Sequence, residues 1–232
     1  MRRVHVPDLH PGVISADPTQ AHHLRTVLRL AVGDRVEAFD ASGRTAVAVV
    51  TALEPTLTLH AEAVTDAPPR PVITVASAVP KGDRADWMVE KLSEIGVNRF
   101  IPLRTARSVV HPEGNKTDRW HRIAVEAAKQ SRRPGVLTID RLIDVRKLLP
   151  TLQDQSAVFF STRPSAEGFN AIAAKRHSAF LLIGPEGGWT DDEETAFVAA
   201  GLTPASLGRT ILRIETAAVL AAGLTLLLDR PA

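Results

Sequence analysis

Short apolar runs alternate with helical segments after about residue 70, and this alternation constrains the fold more than any other feature. The apolar runs lie at Val72–Val79, Arg99–Leu103, Val136–Ile139, Ala157–Phe160 and Phe180–Ile183. Apolar residues at helical spacing predict helices between these runs, at Asp83–Ile95, around Trp120, at Val145–Leu152 and at Ala166–Arg176. Strands that alternate with helices favour a parallel sheet covered on both faces. The sequence therefore predicts an α/β domain.

The first 66 residues or so show a different pattern. Runs at Val36–Phe39, Ala46–Val50 and Thr56–Ala63 predict short strands joined by turns, and the last of them alternates polar and apolar residues. Asp17 and Pro18 suit the beginning of one helix, because they are a good N-cap residue and a good first helical residue. Several short strands joined by turns indicate a small barrel.

A proline-rich segment separates the two patterns. Three of the four residues from Pro68 to Pro71 are proline, which cannot continue a helix or a central strand. We therefore predict two domains, residues 1–68 and residues 69–232. The chain has no cysteine, which excludes disulfides, zinc–thiolate sites and a cysteine nucleophile. No pattern of metal ligands is present, so no metal is expected.

Compartment and membrane association follow from the apolar runs. The N-terminus lacks the apolar core of a signal peptide. The longest apolar run, Ala217–Leu228, is shorter than the roughly 20 residues that span a bilayer. We expect a cytoplasmic protein with no membrane partner.

Two glycine-containing turns follow apolar runs near the C-terminus. The first, Gly184–Gly188, precedes Thr190 and Glu193, which are spaced as a capping box. The second, Leu207–Arg213, precedes a long helix rich in alanine and leucine, which must be buried in a core or at a subunit interface. Turns of this kind lie where open α/β sheets bind ligands.

The chemistry of the first turn restricts its ligand. It matches neither phosphate-binding glycine motif, and the acidic residues Glu186 and Asp191–Glu194 would repel a polyanion. A neutral or cationic cofactor, held by backbone groups that glycine leaves accessible, fits better. The alternative is a tight connection followed by an acidic first helical turn, which the helix dipole favours in any case.

Together, the two turns resemble the C-terminal signature of the RsmE-type 16S ribosomal RNA uridine N3-methyltransferases, which belong to the SPOUT superfamily. The signature segments are Ile183–Gly188 and Leu207–Ala217. Other segments resemble the same family in the same order, at His22–Arg29, Lys81–Arg84, Glu94–Val97, Ile101–Leu103, Arg107–Val109 and Glu126–Ser131. The resemblance therefore extends over nearly the whole chain.

This resemblance implies a fold, a reaction and partners. It implies a PUA-like RNA-binding barrel at the N-terminus, followed by a SPOUT-type parallel sheet with a trefoil knot, in a homodimer. The implied reaction transfers a methyl group from S-adenosylmethionine to N3 of a uridine in the 16S RNA of the small ribosomal subunit. Three alternatives remain: an RNA-binding or ribosome-assembly protein without catalysis, a methyltransferase acting on another RNA nucleotide, and an α/β enzyme with a nucleotide cofactor.

The resemblance also implies site residues. The cofactor pocket is expected to use mainly backbone groups of Leu182, Ile183, Gly184, Pro185, Glu186, Gly187, Gly188, Leu207, Gly208, Ile211, Leu212, Arg213, Thr216 and Ala217. Arg213 is predicted to orient the target base, and Glu215 either to accept its proton or to fix Arg213. The alternative for this pair is an ion pair or cap at the start of a helix.

Basic residues concentrate in the middle of the chain. From Arg99 to Arg133 there are nine Lys or Arg and three acidic residues. The predicted RNA contacts are Arg2, Arg3, Arg29, Lys81, Arg84, Arg104, Arg107, Glu126, Gln130, Arg132 and Arg133. Each of the cations has the alternative of being a solvated surface charge. Among the tryptophans, Trp87 and Trp120 are predicted to pack in the core, and Trp189 to stack on a base.

Overall fold

The computed structural model describes residues 1–16, 24, 29–68, 70–112, 114–152, 155–173 and 178–228. The chain forms two compact units, one of Met1–Pro69 with Val125–Val136, the other of Arg70–Ala124 with Leu137–Ala232. The helix Gly114–Ser131 is therefore divided between the units after Ala124. The functional domains predicted at residues 1–68 and 69–232 stay predictions.

The first unit contains a five-stranded sheet. Its strands are β1 (Arg2–His5), β2 (Gly12–Ser15), β3 (Arg35–Phe39), β4 (Thr45–Ala52) and β5 (Thr58–Ala61), in the order β1-β3-β4-β5-β2. Only the β1–β3 pair is parallel. The three strands predicted from the sequence are confirmed with slightly different ends, whereas β1 and β2 were not predicted.

Alternation along β4 shows how this sheet forms its core. Ala46, Ala48 and Val50 point inward and are buried, while Val47 and Val49 between them are exposed. A strand with period-two burial has one face in the core and one in solvent. The helix predicted to begin at Asp17 lies outside the described residues except for Leu24, which is buried in this core.

The second unit is built on a parallel sheet. Its strands are β6 (Val72–Ala78), β7 (Arg99–Arg104), β8 (Thr138–Ile139), β9 (Ile143–Asp144), β10 (Ala157–Phe160), β11 (Glu167–Gly168), β12 (Ser178–Ile183) and β13 (Thr203–Ser206). The order is β11-β13-β10-β12-β6-β7-β8, with β9 also paired to β7. Every pairing is parallel. This confirms the predicted α/β sheet and its five predicted strands.

The longer described helices lie between these strands in the chain, except the last, which follows β13. They are α1 (Arg84–Ile95), α2 (Gly114–Ser131), α3 (Val145–Leu148, continued by a 3₁₀ turn at Leu149–Leu152), α4 (Phe169–Ala173), α5 (Asp191–Ala199) and α6 (Ile214–Leu228). Gly96 ends α1 in the left-handed conformation, as predicted. The predicted helix Ala166–Arg176 is partly wrong, because Glu167–Gly168 form a strand and the described helix is Phe169–Ala173.

Helix α6 packs closely on the sheet and on α1. Four of its buried residues are alanines, Ala217, Ala218, Ala221 and Ala222, and their small side chains allow close approach to β6, β12 and α1. Leu220 and Leu227 on its other side are exposed in this single chain. The predicted burial of α6 is therefore confirmed for one face. No described helix is both long enough and apolar enough to cross a bilayer.

Candidate active site

The loops after five parallel strands meet at one edge of the second unit. Parallel strands end at the same edge, so the loops after β6, β7, β10, β12 and β13 lie together. Both glycine turns are among these loops, after β12 and β13 respectively. We call Gly184–Gly188 the first turn and Leu207–Arg213 the second turn.

Trp189 supports the first turn from inside the protein. Its indole Nε1 donates a 2.9 Å hydrogen bond to the carbonyl oxygen of Phe160, and its ring packs edge-on against Phe197. A Cβ added to Gly184 would lie 3.0 Å from the Trp189 ring, so any other residue would require the ring to move by a few tenths of an ångström. Trp189 is 6% exposed, and the prediction that it stacks on a base is therefore wrong.

The other two tryptophans are divided between core and surface. Trp120 is fully buried, as predicted, and donates from Nε1 to Asp86 at 2.9 Å. Trp87 was also predicted to pack, but 44% of it is exposed, so that prediction is wrong. The exposed aromatic ring of this unit is therefore on α1, not in the first turn.

Arg107 supports the first turn from the loop after β7. Its Nη1 donates to the carbonyl oxygens of Gly187 at 2.6 Å and of Trp189 at 3.2 Å. A Cβ on Gly187 would lie 3.3 Å from the Arg107 side chain. Arg107 was predicted to contact RNA, but in the structure its guanidinium group binds the backbone of the first turn.

A capping box joins the first turn to α5. Thr190 Oγ1 accepts from the Glu193 backbone N–H at 3.2 Å, and Glu193 Oε2 accepts from the Thr190 N–H at 2.9 Å, which confirms the predicted box. Glu193 Oε1 also accepts from the Ala106 N–H at 2.8 Å. This buried carboxylate therefore joins the loop after β7 to the start of α5, a contact that no local pattern predicts.

The remaining acidic residues after the first turn have partners in the loop after β10. Glu194 accepts from Ser161 Oγ at 2.9 Å and pairs with Arg163 at 2.7 Å. Asp191 also pairs with Arg163. Within the first turn itself the acidic group is Glu186, whose side chain is 42% exposed, and Asp192 at the start of α5 is also exposed.

The second turn has fewer contacts. Ser206 Oγ donates to the Gly208 carbonyl oxygen at 3.1 Å and accepts from the Gly208 N–H at 3.3 Å. Gly208 has a φ of 131°, which suits glycine and leaves its backbone open. Ile211 is 83% exposed, an unusual position for a large apolar side chain.

Glu215 lies behind the second turn at the start of α6. It is 6% exposed, and its Oε2 is buried without a hydrogen-bond partner. Its Oε1 lies 3.7 Å from Arg84 Nη1, while Arg84 Nη2 lies 3.8 Å from Glu186 Oε1. Among the described residues no ion pair joins Glu215 to Arg213, which is exposed. Arg84, predicted to contact RNA, is instead the cation beside Glu215.

The predicted cofactor residues line both turns, with different exposure. Leu182, Ile183, Pro185 and Ala217 are buried; Gly184, Gly188, Leu207 and Leu212 are partly buried; Glu186, Gly187, Gly208, Ile211, Arg213 and Thr216 are exposed. Leu182 lies in the core with Phe180 and Phe197, so only its backbone is available to a ligand. The accessible groups are therefore mainly glycine backbone and the side chains of the second turn.

Two of the predicted RNA contacts are buried in the first unit. Arg3 donates to the carbonyl oxygens of Ala128 at 2.9 Å and Arg133 at 3.1 Å, and pairs with Glu37 at 3.1 Å. Its guanidinium lies 4.1 Å from the centre of the Phe39 ring. Burial lowers the pKa of Arg3, and Glu37 only partly offsets this. Arg3 therefore donates hydrogen bonds to carbonyl oxygens at and just after the end of α2. Arg133 is also buried.

Most other predicted RNA contacts are exposed. They are Arg2, Arg29, Lys81, Arg104, Glu126, Gln130 and Arg132. Arg2 pairs with Asp34 at 3.1 Å, and Glu126 with Lys129 at 2.7 Å. Surface ion pairs of this kind contribute little to stability, so both remain available to a polyanion or to a base edge.

Comparisons with known proteins agree with this arrangement. The family model of the RNA methyltransferase domain matches residues 68–226, and that of the RNA methyltransferase PUA domain matches residues 16–59. Ribosomal RNA small subunit methyltransferase E of Synechocystis sp. is 34% identical over 90% of this chain and 71% of its own length. The protein of that name from Mycobacterium bovis is 32% identical over 91% of this chain and 85% of its own.

A solved structure extends the comparison to the fold. Ribosomal RNA small subunit methyltransferase E from Neisseria gonorrhoeae, bound to S-adenosylmethionine, is 28% identical with a TM-score of 0.85. The match covers 96% of this chain and 95% of that one. The two units thus define an RNA methyltransferase of the SPOUT type with a PUA-like N-terminal domain. The chain belongs to the ribosomal RNA small subunit methyltransferase E family, as the sequence resemblance predicted. The trefoil knot stays a prediction.

Proposed function

We propose that this protein transfers a methyl group from S-adenosylmethionine to N3 of a uridine in 16S ribosomal RNA. Its relatives are named for methylation of small-subunit ribosomal RNA, and a similar structure contains the bound cofactor. The observation that carries the proposal is the buried Glu215 Oε2, which has no hydrogen-bond partner among the described residues, in a carboxylate that shares Arg84 with Glu186 of the first turn. A methyl transfer to a ring nitrogen that carries a proton needs such an acceptor.

The residues around the turns fit S-adenosylmethionine. Gly188 and Gly208 have positive φ, and a Cβ at either position would meet no atom within 4 Å, so their backbone faces open space. Glu186 places a negative charge at the first turn, which suits a sulfonium cation. When bound, this cofactor supplies a methyl carbon whose bond to sulfur breaks, with its electron pair remaining on sulfur, as the acceptor nitrogen bonds to it.

Glu215 is the best placed group to receive the proton. Glu193 and Glu194 accept hydrogen bonds from protein groups, and Asp191 is paired with Arg163. Glu215 Oε2 is the buried carboxylate oxygen that the described residues leave without a partner. It therefore takes the N3 proton of the uridine, while Arg213 on the neighbouring turn stabilises negative charge on the ring oxygens.

The RNA is held by exposed basic residues of both units. Arg2, Arg29 and Arg132 belong to the first unit, and Lys81 and Arg104 belong to the second. Cations at a surface bind phosphates and release counterions, so affinity for the small subunit falls as salt rises. We place the protein in the cytoplasm, where small ribosomal subunits are found.

The exposed apolar surface of α1 and α6 supports a homodimer. Trp87, Leu220 and Leu227 are large apolar side chains exposed in the single chain. Helices α1 and α6 pack against each other, so these residues belong to one pair of helices. A second copy of the chain would remove them from water, since exposed apolar patches typically mark interfaces. Sedimentation of Leu220→Asp should then show a monomer.

The test of the reaction uses labelled S-adenosylmethionine and small ribosomal subunits from cells that lack this protein. We expect one methyl group on N3 of one uridine in 16S RNA, mapped by mass spectrometry. Cofactor binding without transfer to these subunits would contradict the proposed substrate. A protein that binds no S-adenosylmethionine would instead be an RNA-binding or assembly protein.

A further inference from the structure

We propose that Arg84 is a positioning residue for methyl transfer, which holds Glu215 in place between the two glycine turns. This inference rests on the proposed function and deepens it. It concerns the contact of Arg84 with Glu186 and Glu215, which the sequence resemblance did not include. Arg84 acts through Glu215 and does not itself touch the reacting atoms.

The position of Arg84 explains how one side chain reaches both turns. It is the first residue of α1, directly after the loop that follows β6. Glu186 comes from the first turn, and Glu215 from the start of α6. The two ends of the guanidinium group face different carboxylates, with Nη2 3.8 Å from Glu186 and Nη1 3.7 Å from Glu215. One cation thus joins three loops at the carboxyl edge of the sheet.

The burial of Glu215 makes a nearby cation necessary. A carboxylate removed from water is costly unless it is paired or hydrogen-bonded. The start of α6 supplies a favourable dipole, and Arg84 is the cation within ion-pair distance of Glu215 among the described residues. The ion pair involves Oε1, so Oε2 remains for the hydrogen-bond donor of a ligand. Arg84 thereby fixes the carboxylate through Oε1 and leaves Oε2 without a hydrogen-bond partner among the described residues.

The same geometry argues against a phosphate contact at Arg84. One guanidinium between two carboxylates gives a cluster with a net charge of about −1 at neutral pH, which repels a phosphate. Lys81 lies three residues earlier and is exposed, and no ion pair involves it in the described part of the chain. Lys81 is therefore the phosphate contact of this loop, and Arg84 is not.

The experiment compares Arg84→Gln, Arg84→Lys and a control, Arg99→Gln. Arg99 pairs with Asp140 at 2.5 Å, at the opposite end of a strand of the same sheet. Each variant is measured for kcat and for KM with small subunits, and the cofactor-free protein for its affinity for subunits. Calorimetry gives the affinity for S-adenosylmethionine.

We expect Arg84→Gln to lower kcat about 100-fold, the scale of a misplaced reacting group. Three other quantities should stay within about threefold of the wild-type values, because Arg84 holds neither ligand directly. They are KM for subunits, the affinity of the cofactor-free protein for subunits, and the affinity for S-adenosylmethionine. Arg84→Lys should recover part of kcat, since it keeps the positive charge but a single ammonium group cannot face both carboxylates as the guanidinium does. Arg99→Gln should behave as wild type.

A double variant separates positioning from general damage. Arg84→Gln combined with Glu215→Gln should lose no more activity than Glu215→Gln alone, because the two residues act as one unit. Additive losses would overturn the inference, as would a normal kcat in Arg84→Gln. A raised KM with normal kcat and weaker binding of subunits would make Arg84 a phosphate contact instead. If wild-type protein transferred no methyl group, the proposed function would fail, and this inference with it.

Discussion

The two glycine turns occupy equivalent places after parallel strands, yet they are held very differently. The first turn is fixed by Trp189 from inside, by Arg107 on its carbonyl oxygens, and by the capping box that follows it. In the described residues, the second turn has the two hydrogen bonds of Ser206 with Gly208 and one from the Ala217 N–H to the Arg213 carbonyl oxygen at the start of α6, and it exposes Ile211.

This difference indicates that one site combines a rigid first turn with a more weakly held second turn. Backbone groups that are fixed before binding lose little entropy when a ligand arrives, so the first turn serves as a pre-formed platform. Covering an exposed apolar side chain lowers the free energy, because apolar surface is removed from water. The second turn is therefore the part of the site that a ligand would cover and order. If this is correct, mutations in the first turn act mainly on stability, and those in the second mainly on binding.

The largest effect is expected for Glu193→Ala. The change removes a buried acceptor and leaves the N–H groups of Thr190 and Ala106 without a side-chain partner. We expect the free energy of unfolding to fall by about 3 kcal/mol, combining the loss of a cap with unpaired donors. Chemical denaturation measures this. Asp192→Ala, an exposed acidic residue of the same helical turn, should cost less than about 1 kcal/mol, and equal losses would contradict the assigned role.

The next effect tests Trp189 as the inner support. Gly184→Ala places a Cβ 3.0 Å from the indole ring, which must move in a packed region. We expect a loss of about 2 kcal/mol in unfolding free energy and a changed near-ultraviolet circular dichroism spectrum. Gly208→Ala meets no atom within 4 Å and should cost only about 1 kcal/mol of backbone strain. A larger loss from the second turn would reverse the comparison.

A smaller effect is expected for Arg107→Ala. The variant loses hydrogen bonds to the carbonyl oxygens of Gly187 and Trp189, of which the first is exposed and can bind water instead. We expect a loss of about 1 kcal/mol in unfolding free energy, together with weaker binding of S-adenosylmethionine in calorimetry. The matched change in the second turn, Arg209→Ala, should alter stability by less than about 0.5 kcal/mol. Similar effects on stability would mean that Arg107 does not support the turn.

The smallest effect on stability is expected for Ile211→Ser. The side chain is 83% exposed, so unfolding free energy should change by less than about 0.5 kcal/mol. Affinity for S-adenosylmethionine should nevertheless fall about tenfold, because covering an isoleucine contributes about 1.5–3 kcal/mol when burial is complete and part of that here. An unchanged affinity in calorimetry would show that the ligand does not cover the second turn.

Local signals predicted much of this fold. Thr190 and Glu193, three residues apart, predicted the capping box, and Gly96 predicted the end of α1. Helical spacing also predicts that Trp87 lies on the exposed side of α1. Ala85, Met88 and Leu92 form the buried stripe of α1, and Trp87 lies off that stripe. The exposure of Trp87 follows from this spacing, because a position on a helix predicts packing only for residues on the buried stripe.

Other features depend on partners distant in the sequence. Strand β13 contains Pro204, a residue that argues against an interior strand, yet β13 lies between β10 and β11. Arg3 carries no local sign that it binds carbonyl oxygens of Ala128 and Arg133. The pair of Arg84 with Glu215 likewise joins segments that only the folded sheet brings together. A pattern in the sequence shows which residues can form hydrogen bonds or ion pairs. It does not show which distant residue each of them pairs with.

The pairing of β6 with β12 determines when the site can form during synthesis of the chain. Val72 pairs with Ser178, so the centre of the sheet joins segments about 100 residues apart in synthesis. At typical rates of translation, β6 waits on the order of 5–20 s for its neighbour, and α6 with Glu215 follows later still. Chains interrupted before α6 lack Glu215, the proposed proton acceptor, and we expect them to be inactive.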